Sequence, residues 1–281
     1  MSGHKIKKLF RLSISYITLI ILSICAVYPV LWVIFGSVRP GKSLYSKTLI
    51  PTQFTFDHYR ELFTSKSYMF GDWYMNTLKI SIASMLIGVF LTLLTSYAVS
   101  RFRFRGRQTA LSAVLILGMF PGFMSMIAIF LLLKEFNLLD THLALIIVYA
   151  AGAPLMGTFV AKGFLDTIPR SLDEAARIDG ASNFKIFTRI IIPLSRPMFT
   201  YMALTQFVGP WVDFIFAKMV LRSKEKWTVA VGLYEMVNTN TNSNFTLFAA
   251  GAVLIAVPIT LLFMFLQRFL VDGLTSGASK G

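Results

Sequence analysis

Asp166 to Pro197 reads DTIPRSLDEAARIDGASNFKIFTRIIIPLSRP, the only long run of this chain that is both charged and amphipathic, and it lies between two apolar segments of membrane length. Pro169 is followed by Ser171 and, three residues later, by Glu174. That spacing is the capping box, in which a serine oxygen takes one free helix N–H and a glutamate reaches back for another. A short helix is therefore expected to begin at Ser171. It runs through Ala175, Ala176 and Ile178 to Gly180, a residue suited to the left-handed conformation that ends helices. A second helical stretch is expected from Ser182 to Ile192, stopped by Pro193. Two short helices joined at a glycine make an elbow. One that carries charges and apolar residues together, on the face of a membrane protein, suits docking into another protein's groove.

The rest of the chain supplies the membrane. Of its 281 residues 56% are hydrophobic, 26 are Phe and only 14% are charged, which is more apolar surface than an ordinary soluble domain carries. Six segments are long enough to cross ~30 Å of hydrocarbon at ~1.5 Å per helical residue. They are Leu12 to Phe35, Met75 to Ser100, Gln108 to Leu133, Thr141 to Ala161, Pro197 to Leu221 and Phe245 to Gln267. Four contain no Asp, Glu, Lys or Arg; the second has Lys79, and the fifth has Asp213 and Lys218. Both lysines fall near outer ends, where a long side chain can snorkel to water. With no internal repeat, low-complexity tract or soluble appendage, residues 1–281 read as one transmembrane domain: an all-α, polytopic membrane protein with six transmembrane helices.

Basic residues orient it. With a cytoplasmic N-terminus, the inside segments hold 16 Lys and Arg, among them Arg101, Arg103, Arg105 and Arg107, against nine in the longer outside loops. The positive-inside rule then puts both termini and the Glu174 elbow in the cytoplasm. A net charge of +14 also suits nucleic acid, but here it is divided among short loops beside apolar spans rather than gathered on one face.

Two local patterns imitate other functions. Lys5 to Arg11 before an apolar run resembles a secretory leader, and Leu22-Ser23-Ile24-Cys25 a lipoprotein cleavage site. Ile24 stands where a small residue is needed, and the apolar run continues to Phe35. Cys25 is then a small apolar residue in a span, without an intrachain partner. Gly36-Ser37-Val38-Arg39-Pro40-Gly41-Lys42-Ser43 matches the phosphate-cradling G-x-x-x-x-G-K-[ST] pattern. It follows a membrane span instead of a short strand, and Pro51 cuts short any helix after it, so a juxtamembrane turn is expected. His4, His58 and His142 are scattered, with no paired cysteines or clustered carboxylates to complete a metal site. No residue set selects a catalytic nucleophile, and no cofactor or metal is expected.

The elbow carries a family resemblance. Glu174-Ala175-Ala176, three residues, Gly180, nine residues and Ile190-Ile191-Ile192-Pro193 resembles the EAA-x3-G-x9-I-x-L-P loop of permease subunits of bacterial binding-protein-dependent ABC importers, with Ile192 in place of leucine. The resemblance implies a type I ABC importer permease fold. It further implies that Glu174, Ala175, Ala176, Asp179 and Gly180 belong to a coupling helix docked on a separate cytoplasmic ATPase. Gln267 to Gly281, with Thr228 to Leu233, resembles the smaller permease subunits of maltose and maltodextrin importers. That implies a second ATPase contact at Gly277, Lys280 and Gly281. It also implies that the outer loop from Arg222 to Asn244 reaches the sugar pocket of an extracytoplasmic binding protein, with Asn238, Asn240 and Asn242 as candidates. Amides can replace hydrogen bonds between protein and sugar, though Asn-rich stretches are common in plain loops.

Within the spans, Asp213 lies 16 residues beyond Pro197, ~24 Å along the fifth helix, just after Gly209-Pro210-Trp211, where a kink is expected. A lone carboxylate at that depth needs water or a partner. Asp213, with Gln206 and Trp211, either lines the outer part of the translocation path, or makes a structural hydrogen bond to a neighbouring helix, or already sits at the outer headgroups. Pro121-Gly122, Gly152 with Pro154, and Pro258 are helix breakers that permit bending or close packing. The implied protein is a multi-pass subunit of the bacterial cell membrane, itself not an enzyme. Its implied partners are a second, non-identical permease, two ABC ATPase subunits and a sugar-binding protein, with a maltodextrin-type oligosaccharide as substrate. A permease for a different sugar, a membrane-embedded enzyme and an ion-coupled secondary transporter are the rival readings, and the last would want paired ionisable groups near midmembrane, where only Asp213 qualifies.

Overall fold

The computed structural model describes residues 3–43, 48–65, 67–119, 122–238 and 244–278, and every regular element among them is helical. The chain divides into two units, Met1–Tyr68 with Glu235–Leu254, and Met69–Tyr234 with Ile255–Gly281.

The first unit holds α1 (Gly3–Ser37), α2 (Asp57–Thr64) and the beginning of the last long helix. From Phe10 to Val30 the large apolar side chains of α1 are exposed, as befits a helix whose solvent is lipid. The segment that imitates a phosphate loop is a turn. Ser37 is buried and its hydroxyl donates to the Ile34 carbonyl at 2.6 Å, with the Tyr59 hydroxyl 2.7 Å away. Gly41 takes φ +95°, and its carbonyl accepts from the Thr246 hydroxyl at 2.6 Å.

The second unit is built on α3 (Phe70–Arg101), followed by α4 (Arg107–Met119), α5 (Gly122–Glu135) and α6 (His142–Thr167). After the elbow come α10 (Arg196–Val212), α11 (Ile215–Val220) and α12 (Val229–Asn238), and α13 (Phe245–Ala278) ends the described chain. α3 packs chiefly on α6 and then on α10. Ser81, Ser84, Gly88, Thr92, Ser96 and Ser100 recur at helical spacing along α3, and all are buried. Lipid gives no hydrophobic force between helices, so small residues that allow close backbone approach make the contact. A Cβ on Gly157 would come within 2.8 Å of Thr92, and one on Gly88 within 2.8 Å of Ala153. Thr95 and Thr158 hydroxyls meet at 2.8 Å across the same seam.

Among the described residues four helices are long and apolar enough to cross a membrane: Phe10–Ser37, Phe70–Arg101, His142–Thr167 and Phe245–Phe269. They correspond to the first, second, fourth and sixth expected spans. The third is a bent pair, α4 and α5, whose axes differ by 100° across residues 120 and 121. Pro121 of the expected breaker pair lies outside the described residues, while Gly122 opens α5. The fifth is broken after Val212, not merely kinked at Pro210. Asp213 is extended (φ −77°, ψ 104°), and its Oδ1 accepts the Phe216 amide at 3.1 Å. A short carboxylate side chain that competes for backbone amides ends one helix and starts the next.

From Arg222 to Asn238 the chain is more ordered than a loop. The indole N–H of Trp73 donates to Lys224 O at 2.8 Å, and Asn76 donates to the carbonyls of Glu225 and Trp227. α12 follows, its Val229 amide held by the Thr77 hydroxyl at 2.8 Å. Gly232 lets α12 lie on Trp73: a Cβ there would be 1.9 Å from the indole ring.

Candidate functional site

The elbow consists of α7 (Ser171–Ile178), α8 (Asn183–Ile186), a π-helical turn over Phe187–Ile191, and α9 (Ile192–Leu194). Its start differs from the expected capping box. Arg170 is already in the α region (φ −67°, ψ −21°) and no side chain caps the helix. The amides of Leu172, Asp173 and Glu174 go to the carbonyls of Pro169 and Arg170. The helix begins at Ser171 as expected, but with Arg170 as its N-cap, so Ser171 stands inside the first turn, where its hydroxyl no longer faces the free amides.

The bend is as expected. Gly180 has φ +74°, its amide donates to Arg177 O at 3.0 Å, and the Ala181 amide returns to Ala176 O at 2.9 Å. These are the two bonds of a Schellman closure. Ser182 then caps α8, its hydroxyl accepting the Lys185 amide at 3.3 Å. Pro193 does not stop the second arm. The π turn before it widens the helix so that the missing donor is absorbed. The arm runs to Leu194, and the Ser195 amide closes it on Ile191 and Ile192 before α10 begins.

One face of the elbow is free and the other is bound. Glu174, Ala175, Asp179 and Gly180 are exposed and Ala176 is half-buried, while Ile178 is 88% exposed and Phe184 75%. On the inner side Ile186, Phe187 and Ile191 are buried with Tyr97, Leu165 and Ile168. Asp173 is buried too, its Oδ2 2.9 Å from Arg101 Nε. Neither residue of that pair stands out in sequence. Arg101 looks like one more basic residue at a span end, and Asp173 is overshadowed by the neighbouring Glu174.

A second site lies in the helical core of the same unit. A cavity of about 500 Å³ opens between α3, α6 and α10, lined among others by Thr92, Tyr149, Gly152, Tyr201, Thr205, Gln206 and Asp213. The Tyr149 hydroxyl donates to Asp213 Oδ2 at 2.6 Å, and Gln206 Nε2 donates to the Tyr149 carbonyl at 2.7 Å. Two of the three residues singled out in the spans therefore meet in one cavity. Asp213 lines the cavity and, through Tyr149, ties α6 to the α10–α11 break. Trp211 is instead 1% exposed, packed on Tyr74 and Phe207, and is absent from the lining. Tyr149 was not foreseen, because a lone tyrosine in an apolar helix gives no local signal. Lys218 rests over the Trp227 ring, 4.2 Å from its centroid.

A third constellation braces the other end of α6. Asp140 takes φ +58° and donates its amide to Val220 O. Its carboxylate accepts from the amides of Arg222 and Ser223, the Ser223 hydroxyl and Lys226 Nζ. Burial by itself pushes this carboxyl up. The Ser223 hydroxyl and amide, the Arg222 amide and Lys226 outweigh it and hold Asp140 well below the ordinary carboxylate range.

Of the remaining candidates, Asn238 is the exposed last residue of α12, whereas Asn240 and Asn242 lie outside the described residues. Gly277 falls within the backbone of α13, and Lys280 and Gly281 are outside the described residues.

Comparison with known proteins agrees with this architecture. Residues 84–276 match the family described as binding-protein-dependent transport system inner membrane component. The galactooligosaccharides transport system permease protein GanQ of Bacillus subtilis is 44% identical, over 100% of both chains. The maltodextrin transport system permease protein MalD of Streptococcus pneumoniae is 41% identical, over 99% of this chain and 98% of its own length. A crystal structure of a bacterial ABC transporter involved in import of the acidic polysaccharide alginate superposes with TM-score 0.79 at 24% identity, covering 93% of this chain and 96% of that one. The chain belongs to the family of inner membrane components of binding-protein-dependent transport systems, and its fold is that of an ABC importer permease.

Proposed function

We propose that this chain is a permease subunit of an ABC importer for oligosaccharides, moved by ATPases in separate subunits through the Glu174 elbow. The observation that carries the reading is the two-faced elbow. Its inner side is fastened to the helical core by a buried ion pair and an aromatic cluster, while Ile178 and Phe184 stand in the open beside Glu174. Large apolar side chains so exposed beside charges suit a groove in a partner protein. Glu174, Ala175, Ala176, Asp179 and Gly180 form the contact. Gly277, Lys280 and Gly281 form a second one, and Asn238, Asn240 and Asn242 approach a sugar-binding protein on the opposite side. A second permease and two ATPases complete the assembly. Six crossings result when α4 with α5, and α10 with α11, each count as one. The excess of basic residues on the elbow side puts that side and both termini in the cytoplasm.

A maltodextrin-type sugar is supported by maltodextrin permeases at 41% and 40% identity. The galactooligosaccharide permease at 44% favours a second reading with the same chemistry. Either sugar suits a cavity lined by Tyr149, Tyr201, Thr205, Gln206 and Asp213 with no Lys or Arg, a set that would not favour an acidic polymer. The test is ATP-driven uptake by vesicles holding the full assembly, comparing maltodextrin with galactooligosaccharide, and the native chain with Glu174→Lys and Gly180→Pro. Loss of uptake and of ATPase association with insertion intact is expected. Unchanged uptake in both variants overturns the coupling role, and failure to transport either sugar overturns the substrate class.

A further inference from the structure

We propose that the elbow drives α3 as a third lever, and that the buried Arg101–Asp173 pair is the joint transmitting the movement. The inference rests on the elbow being the docking element. Chain continuity alone would pass a displacement of the elbow to α6, which leads into it through Ile168, and to α10, which leaves it after Ser195. The contacts add α3, which is not adjacent to the elbow in sequence.

Three residues in the last turns of α3 take hold of both arms. Arg101 Nε lies 2.9 Å from Asp173 Oδ2 in α7, with side chains 2% and 8% exposed, and Arg101 Nη2 donates to Ile168 O at 3.1 Å. The grip is reciprocal, because Arg170 Nη2 donates to Ser100 O at 3.1 Å. Ser100 also donates to Asp166 at 2.6 Å, and Lys162 neutralises that carboxylate. On the second arm the Tyr97 ring packs on Phe187 with centroids 4.6 Å apart, and the Tyr97 hydroxyl reaches the Asn183 carbonyl at 3.4 Å.

An apolar contact can slide, whereas a buried ion pair resists separation because parting leaves an unpaired charge out of water. A load taken on the open face at Ile178 and Phe184 therefore reaches Arg101 as a displacement of α3. Nine residues up the same helix, ~14 Å at the helical rise, Thr92 lines the cavity wall. Arg101 is thus a positioning residue that couples the docking face to that wall.

The test uses the full assembly in vesicles, with Arg101→Gln, Asp173→Asn and Arg101→Lys, in a Cys25→Ser background carrying Ile178→Cys for cross-linking to the ATPase. Sugar uptake, ATP hydrolysis and cross-linking are read together. Expected are intact cross-linking and basal hydrolysis, with sugar moved per ATP reduced about tenfold in Arg101→Gln and Asp173→Asn. Arg101→Lys, which keeps the charge and loses the planar fork, should fall between these and the native chain. Unchanged sugar per ATP overturns the joint, as does loss of hydrolysis together with cross-linking, which would make the pair a fold element only. If the first two variants do not insert, Arg101→Lys decides, and native uptake per ATP in it overturns the proposal. Absence of the Ile178 cross-link in the otherwise native chain overturns the docking reading itself, and this inference with it.

Discussion

Tyr149 and Asp213 lie 64 residues apart in sequence and meet at 2.6 Å, the phenol donating to one carboxylate oxygen while the Phe216 amide occupies the other. The pair joins α6 to the break between α10 and α11, on the wall of the cavity. Removing the donor leaves a partly buried carboxylate oxygen without its bond. Tyr149→Phe is expected to lower stability by ~1–3 kcal/mol, measured by thermal unfolding of the detergent-solubilised protein. Asp213→Asn should cost about as much, because the amide keeps one acceptor oxygen and puts an NH2 donor where the other stood, so one of the two bonds is lost.

Gly232 is required by its neighbour. A methyl group there would lie 1.9 Å from the Trp73 ring, and neither the indole, tied to Lys224 O, nor α12, tied to Thr77, is free to withdraw. Gly232→Ala is expected to destabilise by ~3 kcal/mol, at the upper end of usual overpacking costs, or to abolish accumulation in the membrane. A variant with native melting temperature would show that α12 can lift off α3.

Asp140 sets a pH dependence. Its folded-state pKa is held below the ordinary value, so its stabilising contribution is complete above the unfolded value of about 3.9. That contribution is lost as pH falls from there toward the folded value. Unfolding measured from pH 6 downward is expected to lose stability more steeply below about pH 4 in the native chain than in Asp140→Asn. Equal slopes would remove Asp140 from the account.

Ile178 and Phe184 predict a separation of assembly from folding. Both are exposed, so Ile178→Asp and Phe184→Asp should change stability by only ~0.5 kcal/mol. Co-purification of the ATPase should fall at least about tenfold if these are the buried anchors of the contact. A matching loss of insertion would instead point to a folding role.

Much of the elbow was legible because its signals are local. Gly180 lies where only a few residue types tolerate positive φ, a second helical stretch after it starts at Ser182, and the pairing of EAA with a downstream Pro is a short-range pattern. The misread details were local competitions decided elsewhere. Ser171 lost its cap because Pro169 and Arg170 had already started the turn, and Pro193 was accommodated by a π turn that hydropathy does not register. The fifth span looked continuous because apolar composition is blind to Asp213 taking the Phe216 amide.

By itself the sequence determined that the chain is helical, that it lives in lipid and that one charged elbow interrupts the apolar spans. Hydropathy, helical period and capping chemistry act between residues a few positions apart. Only the tertiary structure decided which side chains of distant helices meet: Arg101 with Asp173, Tyr149 with Asp213, Trp73 with Gly232. In a bilayer apolar residues are at home on every face, so the hydrophobic pattern does not say which faces touch. Close packing of small residues and the pairing of a few polar groups settle it, and both depend on three-dimensional proximity.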